Sequence, residues 1–133
     1  MYGGIVMGIF KSFIEKFTRG CFYVVDAQTF RTYLEKEVEF CVSEELVFCT
    51  ELNIFLNGEK HFMRMFNNLD DEENPREGVT VLYDGTEYTS IDSFFETALR
   101  YVPTYFKIEL TLSDDVWLNE YKASHPELNT EDY

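Results

Sequence analysis

The spacing of hydrophobic positions changes partway through residues 82–103, LYDGTEYTSIDSFFETALRYVP. The first part places strand-forming residues on both sides of Asp84-Gly85, a pair that favours a tight hairpin turn because both positions take positive φ. The second part has an apolar residue at every third or fourth position, which predicts an amphipathic helix. Thr89 and Asp92 have the spacing of a capping box at its start. We interpret this segment as scaffold.

A second hairpin is predicted within residues 45–67, where Asn57-Gly58 is the preferred pair for a two-residue turn. Taking this pair as the turn sets Glu51 opposite Arg64, and opposite charges across a ladder favour that register. The same register pairs Leu52 with Met63, Ile54 with His61, and Asn53 with Phe62. His61 is interpreted as a packing residue, because no second histidine or cysteine lies at ligand spacing.

The other predicted elements complete a mixed fold. Residues 20–25 and 105–113 are predicted strands. Helices are predicted at 9–19, after Asp26 as its cap, and at 113–123 with Ser113 as its cap. The chain is therefore expected to be α+β, with an antiparallel sheet of about five strands and helices packed mainly on one face. Without the terminal helices and one inserted hairpin, the order is β-α-β-β-α-β, compatible with a ferredoxin-like arrangement.

Length and composition predict a single α+β domain over residues 1–133, with an acidic C-terminal tail at 124–133. The content of 45% hydrophobic residues, including 13 Phe and 9 Tyr, is ample for a core. The apolar start MYGGIVMGIF is too short to span a bilayer and lacks the features of a signal peptide. We expect a soluble, cytoplasmic protein.

No motif in the chain indicates catalysis. The three cysteines, Cys21, Cys41 and Cys49, lie among apolar neighbours without a C-x-x-C pair, which is typical of buried, reduced thiols. Neither His61 nor His125 belongs to a catalytic signature, and nucleotide-binding, hydrolase and zinc motifs are absent. The prediction is a non-enzymatic protein without cofactor or metal. A carboxylate-based active site stays open as an alternative.

Charge is the main functional clue, since 25 acidic and 11 basic side chains give a net charge of −14. Residues 1–20 carry more basic than acidic side chains, so the acidic excess begins at Cys21. Scattered lysines and arginines do not neutralise a phosphate backbone. Direct binding to nucleic acid or to an anionic membrane is therefore not expected. The charge instead steers the protein toward basic protein surfaces.

The leading hypothesis is an inhibitor or decoy that imitates nucleic acid and blocks the basic nucleic-acid-binding surface of a partner protein. Anti-defence proteins of the anti-CRISPR kind and immunity proteins against nucleases act in this way, so a bacterial or phage-infected host cell is expected. The candidate contact residues lie in a predicted loop, 67–78, and in the C-terminal segment: Asp70, Asp71, Glu72, Glu73, Glu77, Asp114, Asp115, Glu120, Glu127, Glu131 and Asp132.

The alternative hypothesis is an acidic adaptor or subunit that binds a protein partner through an apolar patch. Phe10, Phe13 and Phe17 of the predicted N-terminal helix, or Met63 and Met65 of the second hairpin, are its candidate contacts. The partner's identity and the oligomeric state are not predicted.

Overall fold

The computed structural model describes residues 21–44, 49–111 and 113–133. Its elements in chain order are β1 (Cys21–Val25), α1 (Ala27–Ser43), β2 (Cys49–Leu56), β3 (Glu59–Leu69), β4 (Pro75–Tyr83), β5 (Thr86–Tyr88), α2 (Ile91–Thr97), β6 (Phe106–Leu110), α3 (Val116–Ser124) and a 3₁₀ turn (Thr130–Asp132). The α+β class with one antiparallel sheet is confirmed, with six strands among these residues. The predicted helix at 9–19 lies outside them.

The strands lie in the order β1-β6-β2-β3-β4-β5, and every neighbouring pair is antiparallel. The last strand, β6, therefore lies between β1 and β2. In a ferredoxin-like sheet the third strand of the motif takes that place. The observed sheet has the predicted order of elements along the chain but not the ferredoxin-like order of strands, because chain order does not determine which strands become neighbours.

The β2–β3 hairpin has the predicted register, with Glu51 opposite Arg64. Asn57 and Gly58 have φ of 52° and 81°, the left-handed conformations that a type I′ turn requires. The Glu51 carboxylate and the Arg64 guanidinium lie 2.9 Å apart. Local turn chemistry and cross-strand charge together specify this hairpin.

Most of the region predicted as a long loop belongs to strands. β3 extends to Leu69 and β4 begins at Pro75, so only residues 70–74 connect them. Polar side chains are accommodated inside the ladder: Asn67 is buried next to a register shift, and Asn68 Oδ1 accepts a hydrogen bond from Thr80 Oγ1 at 2.8 Å. These parts of the strands were not predicted because the segment is polar. Polar side chains are compatible with the ladder when hydrogen-bond partners are available to them.

Each of the three described helices begins after a side chain that accepts a hydrogen bond from the backbone amide three residues later. Asp26 caps α1 as predicted. The cap of α2 is Ser90 in place of the predicted Thr89, and the cap of α3 is Asp115 in place of Ser113. Neighbouring polar residues are nearly equivalent as caps, so the backbone path decides which one serves.

One hydrophobic core lies between the three described helices and one face of the sheet. Met63 and Met65 are fully buried in it. Their assignment to an apolar docking patch is therefore wrong, because alternate strand residues face opposite sides and these two face the helices. The other members of that patch, Phe10, Phe13 and Phe17, lie outside the described residues. In the described part of the chain, no helix combines the length and apolar character needed to cross a bilayer.

Candidate acidic binding site

Carboxylates from four parts of the chain lie at the same end of the sheet, where β3 and β6 end and β2 and β4 begin. The 70–74 connection lies at this end because it joins the end of β3 to the start of β4. Asp114 and Asp115 follow β6, and Glu37 lies in the second half of α1, which leads toward β2. We refer to this region as the acidic end. Its carboxylates are Glu37, Glu51, Asp70, Asp71, Glu72, Glu73, Asp114 and Asp115.

A cavity of about 210 Å³ opens at this end between α1, the start of β2 and the segment that precedes α3. We refer to it as the acidic cleft. It is lined by Tyr33, Glu37, Thr50, Glu51, Leu110, Ser113, Asp114 and Asp115. Half of these residues are acidic and none of the described ones is basic, but the Glu51 carboxylate pairs with Arg64, so Glu37, Asp114 and Asp115 supply the unpaired charge. The cleft is thus a concentration of negative charge built from elements far apart in sequence.

The two aspartates of the cleft are held in place from behind. Asp115 Oδ1 accepts a hydrogen bond from the Leu118 amide at 2.8 Å, and the Asp115 amide donates to Tyr23 Oη at 3.3 Å. Asp114 Oδ2 accepts from Asn119 Nδ2 at 2.8 Å, and Tyr23 Oη donates to Asn119 Oδ1 at 2.5 Å. The start of α3 therefore positions one wall of the cleft.

Partial burial in the cleft raises the pKa values of two of its side chains, Glu37 and Tyr33. Burial, and then the nearby Asp115 carboxylate, raise the pKa of Glu37. Burial, and then Glu37 and Asp115, raise the pKa of the Tyr33 hydroxyl. Both effects show that the cleft disfavours further negative charge, and a cation bound there would relieve this.

A raised carboxyl pKa beside other carboxylates is also the arrangement that a general acid uses. The Cys41 thiol does not extend this chemistry to a nucleophile, since burial, followed by the charge of Glu37, raises the pKa of Cys41. Cys21 and Cys41 are free thiols. Among the described residues, no group of three or more His, Cys, Asp or Glu side chains is arranged to hold a metal ion.

The 70–74 connection is organised by its first residue. Asp70 Oδ1 accepts hydrogen bonds from the amides of Glu72 and Asn74, both at 2.9 Å. Glu73 takes the left-handed conformation with φ 63°, which closes the turn. This leaves Asp71, Glu72 and Glu73 exposed to solvent at the tip of the hairpin.

Most of the remaining predicted contact residues lie away from the acidic end. Asp132 lines a different cavity together with Asn57 and Gly58, at the opposite end of β3. β3 has 11 residues, so about 33 Å of strand separates the two ends. Glu131 adjoins Asp132, and Glu127 lies close to Tyr121, whose other neighbours include Asp26 at the end of β1. Glu77 is the third residue of β4 and lies near the acidic end without lining the cleft, and Glu120 lies on the exposed side of α3.

Sequence reasoning missed Glu37 and Glu51 as members of a site. Glu51 was visible only as the partner of Arg64, and Glu37 only as a polar position on a helix. No local signal marks either residue, because the cleft exists only when α1, β2 and the 113–115 segment are packed together.

The face of the sheet that points away from the helices is aromatic. Phe55, Phe62 and Phe66 lie on it at alternate strand positions, and Phe62 is 43% exposed. Lys107 lies over the Phe55 ring with its nitrogen 4.8 Å from the ring centroid. We refer to these three phenylalanines as the outer aromatic face. None of the three described helices packs on it.

His61 has a structural environment. Its Nδ1 donates to Asp84 Oδ2 at 2.6 Å, and its ring stacks on Tyr83 with centroids 5.4 Å apart. The packing interpretation of His61 agrees with these contacts.

Comparisons of the chain with protein-family models, with curated proteins and with solved structures found no match.

Proposed function

We propose that the protein is a non-enzymatic binding protein whose acidic end docks against the basic, nucleic-acid-binding surface of a partner protein. It would act as an inhibitor or decoy, of the anti-CRISPR-like or nuclease-immunity type. The cytoplasm of a bacterial or phage-infected host cell is the setting in which we place it. The contact residues in this proposal are the carboxylates of the acidic end.

The observation that carries the proposal is the clustering of the hairpin tip and the acidic cleft at one end of the sheet. Leu69 lies five residues beyond Arg64, the ladder partner of Glu51, so the tip and the cleft are about 17 Å apart along β3. Duplex DNA carries about ten charges over that length. The eight carboxylates of the acidic end are of the same order.

Few basic groups offset this charge. Among the lysines and arginines that the structure describes, Arg31 and Arg64 form ion pairs with carboxylates. Of these two, Arg64 lies at the acidic end. Arg76 lies on β4 just after the tip. An excess of like charge on one end speeds association with a surface of opposite charge and weakens with salt.

The experiment is a capture assay from bacterial lysate at about 50 mM and about 500 mM salt, where electrostatic contacts of exposed groups are screened to different extents. We expect the wild-type protein to recover a basic nucleic-acid-binding protein only at low salt and to displace nucleic acid from it. The triple variant Asp71→Lys, Glu72→Lys, Glu73→Lys should lose this partner. Asp70 is kept because it organises the turn. Recovery that is independent of both salt and charge reversal would contradict the proposal.

A second candidate function, an adaptor that binds through an apolar surface, is favoured by the outer aromatic face. Phe62 is exposed at its centre, where a partner could bury it. Here Phe62→Ser would abolish association at high and low salt alike, and the triple charge reversal would leave it intact. The two candidates therefore give opposite results with the same pair of variants.

A further inference from the structure

The acidic cleft contains a polar group that the fold itself does not use. Tyr33 is only 5% exposed, and its side chain belongs to the core. None of the hydrogen bonds among the described residues involves its hydroxyl, and this oxygen is not a fully enclosed atom, so it faces the open space of the cleft. The side chain lines the cleft, and the hydroxyl is close enough to Glu37 and Asp115 for both charges to act on it. The ring is buried while its hydroxyl reaches the cleft without a protein partner, so a ligand atom in the cleft would find a hydrogen-bond partner there.

The negative charges around that position favour a cation. Glu37 projects from the same helix one turn after Tyr33, and it makes no ion pair with a described lysine or arginine. Asp114 and Asp115 form the facing wall, where α3 holds them by hydrogen bonds. The described residues provide no metal-binding group. The cleft therefore offers acceptors spread over several directions, which suits an organic cation with several N–H donors.

We propose that the acidic cleft binds the guanidinium group of a single arginine side chain, with the Tyr33 hydroxyl and the Glu37 carboxylate as its principal contacts. The source of the arginine, a basic partner protein, rests on the proposed function. The binding chemistry of the cleft does not, because it follows from the residues that line it.

Guanidinium fits this site better than ammonium. It has five N–H donors in a plane and no acceptor, so several carboxylate and hydroxyl oxygens contact it at once. It is also more weakly hydrated than an ammonium group, which lowers the cost of entering an enclosed site. The volume of about 210 Å³ is below the roughly 300–1,000 Å³ of pockets that enclose whole small molecules. One side chain is therefore the expected occupant.

The test uses the full-length protein and two-dimensional amide NMR. The probe is Nα-acetyl-L-arginine amide, compared with the lysine amide and with the neutral citrulline amide, which has nearly the same shape as arginine. We expect the arginine probe to give saturable shifts confined to residues that line the cleft, with a dissociation constant in the millimolar range. The lysine probe should bind at least about threefold more weakly, and the citrulline probe should cause no saturable shift.

Three variants complete the test. Tyr33→Phe retains the buried ring and removes only the hydroxyl, and Glu37→Gln removes the charge at nearly constant shape. Each should weaken binding of the arginine probe by about fivefold or more. Glu39→Gln is the matched control, since Glu39 is exposed on the same helix and does not line the cleft. It changes net charge equally and should alter the affinity less than about twofold.

Shifts spread over the surface without saturation, equal affinity for lysine and arginine, or variants that bind like the wild type would each overturn the inference. These outcomes are separable from failure of the proposed function because the probe needs no partner. If the cleft does not bind the probe but reversal at Asp71, Glu72 and Glu73 still abolishes partner capture, the inference is wrong and the proposed function stands. If the cleft binds the probe but no basic partner is captured, the inference stands and the proposed function is wrong.

Discussion

Asp70 and Asp132 lie at opposite ends of the sheet. Asp70 directly follows β3, and Asp132 lines a cavity with the Asn57-Gly58 turn that precedes β3. About 33 Å of strand lies between them, more than three times the Debye length of about 10 Å at 0.1 M salt. Charges at the two ends therefore act independently on a partner that docks at one of them.

This separation predicts unequal effects of charge reversal at the two ends. The variant Asp71→Lys, Glu72→Lys, Glu73→Lys should slow association with a basic partner by at least about tenfold at low salt, because it removes the steering charge. Glu131→Lys, Asp132→Lys should change the rate less than about twofold. Stopped-flow or surface-plasmon measurement of the association rate constant decides it. An equal effect at both ends would mean that docking does not occur at the acidic end.

Asp84 is expected to stabilise the junction of the two hairpins. One carboxylate oxygen accepts from His61 and the other from the Phe62 amide at 3.0 Å, while its own φ is 48°. Asp84→Ala loses both hydrogen bonds. Alanine also tolerates a positive φ less well than aspartate does, so we expect the free energy of unfolding to fall by about 1–2 kcal/mol.

Asp84→Asn is the matched variant for that measurement. Asparagine tolerates positive φ and keeps an acceptor oxygen, so its cost should be below about 1 kcal/mol. Chemical denaturation of the two variants gives the comparison. Equal losses would show that charge, and not backbone conformation or hydrogen-bond acceptance, is what Asp84 contributes.

Glu37 should make stability depend on pH in a defined direction. Burial and Asp115 raise its pKa in the folded state above the ordinary value of 4.5, so the folded state favours the protonated form. The associated stability is fully present below pH 4.5 and is lost as pH rises through the folded-state pKa.

Glu37→Gln should therefore raise the free energy of unfolding at pH 7 by about 0.5 kcal/mol, a small value because solvent screens a half-exposed carboxyl. The gain should vanish near pH 4. Denaturation at the two pH values measures it, with Glu39→Gln as a control that shows no comparable gain. A Gln variant that is less stable at pH 7 would contradict the cause assigned to the raised pKa.

Met63 and Phe62 are adjacent in β3 but face opposite sides of the sheet. Met63 is fully buried and Phe62 is 43% exposed. Met63→Ala should cost about 2–5 kcal/mol of stability because it opens a cavity in the core. Phe62→Ala should lower the stability by less than about 1 kcal/mol, since a large part of the Phe62 side chain is already exposed to solvent in the folded state. Thermal or denaturant unfolding compares them, and a larger loss for Phe62→Ala would place the main core on the outer face.

Local structure was largely predictable from the sequence because its causes are local. The Asn57-Gly58 pair predicts the hairpin, and the two-residue length of this turn sets Glu51 opposite Arg64. Asp26 marks the start of α1. The predictions that failed lie where several polar residues could serve equally. Ser90 and Asp115 replace their neighbours as caps, and strands continue through a polar stretch predicted as loop.

The sequence by itself determined the α+β class, the hairpin register and the acidic excess, since each depends on residue type and short-range spacing. Only the tertiary structure decided that β6 lies between β1 and β2, that Met63 and Met65 face the core, and that Asp114 joins Glu37 in one cleft. The physical reason is that a site of this kind arises from packing. Its members come from elements with no contact along the chain, and burial gives them properties that none has alone.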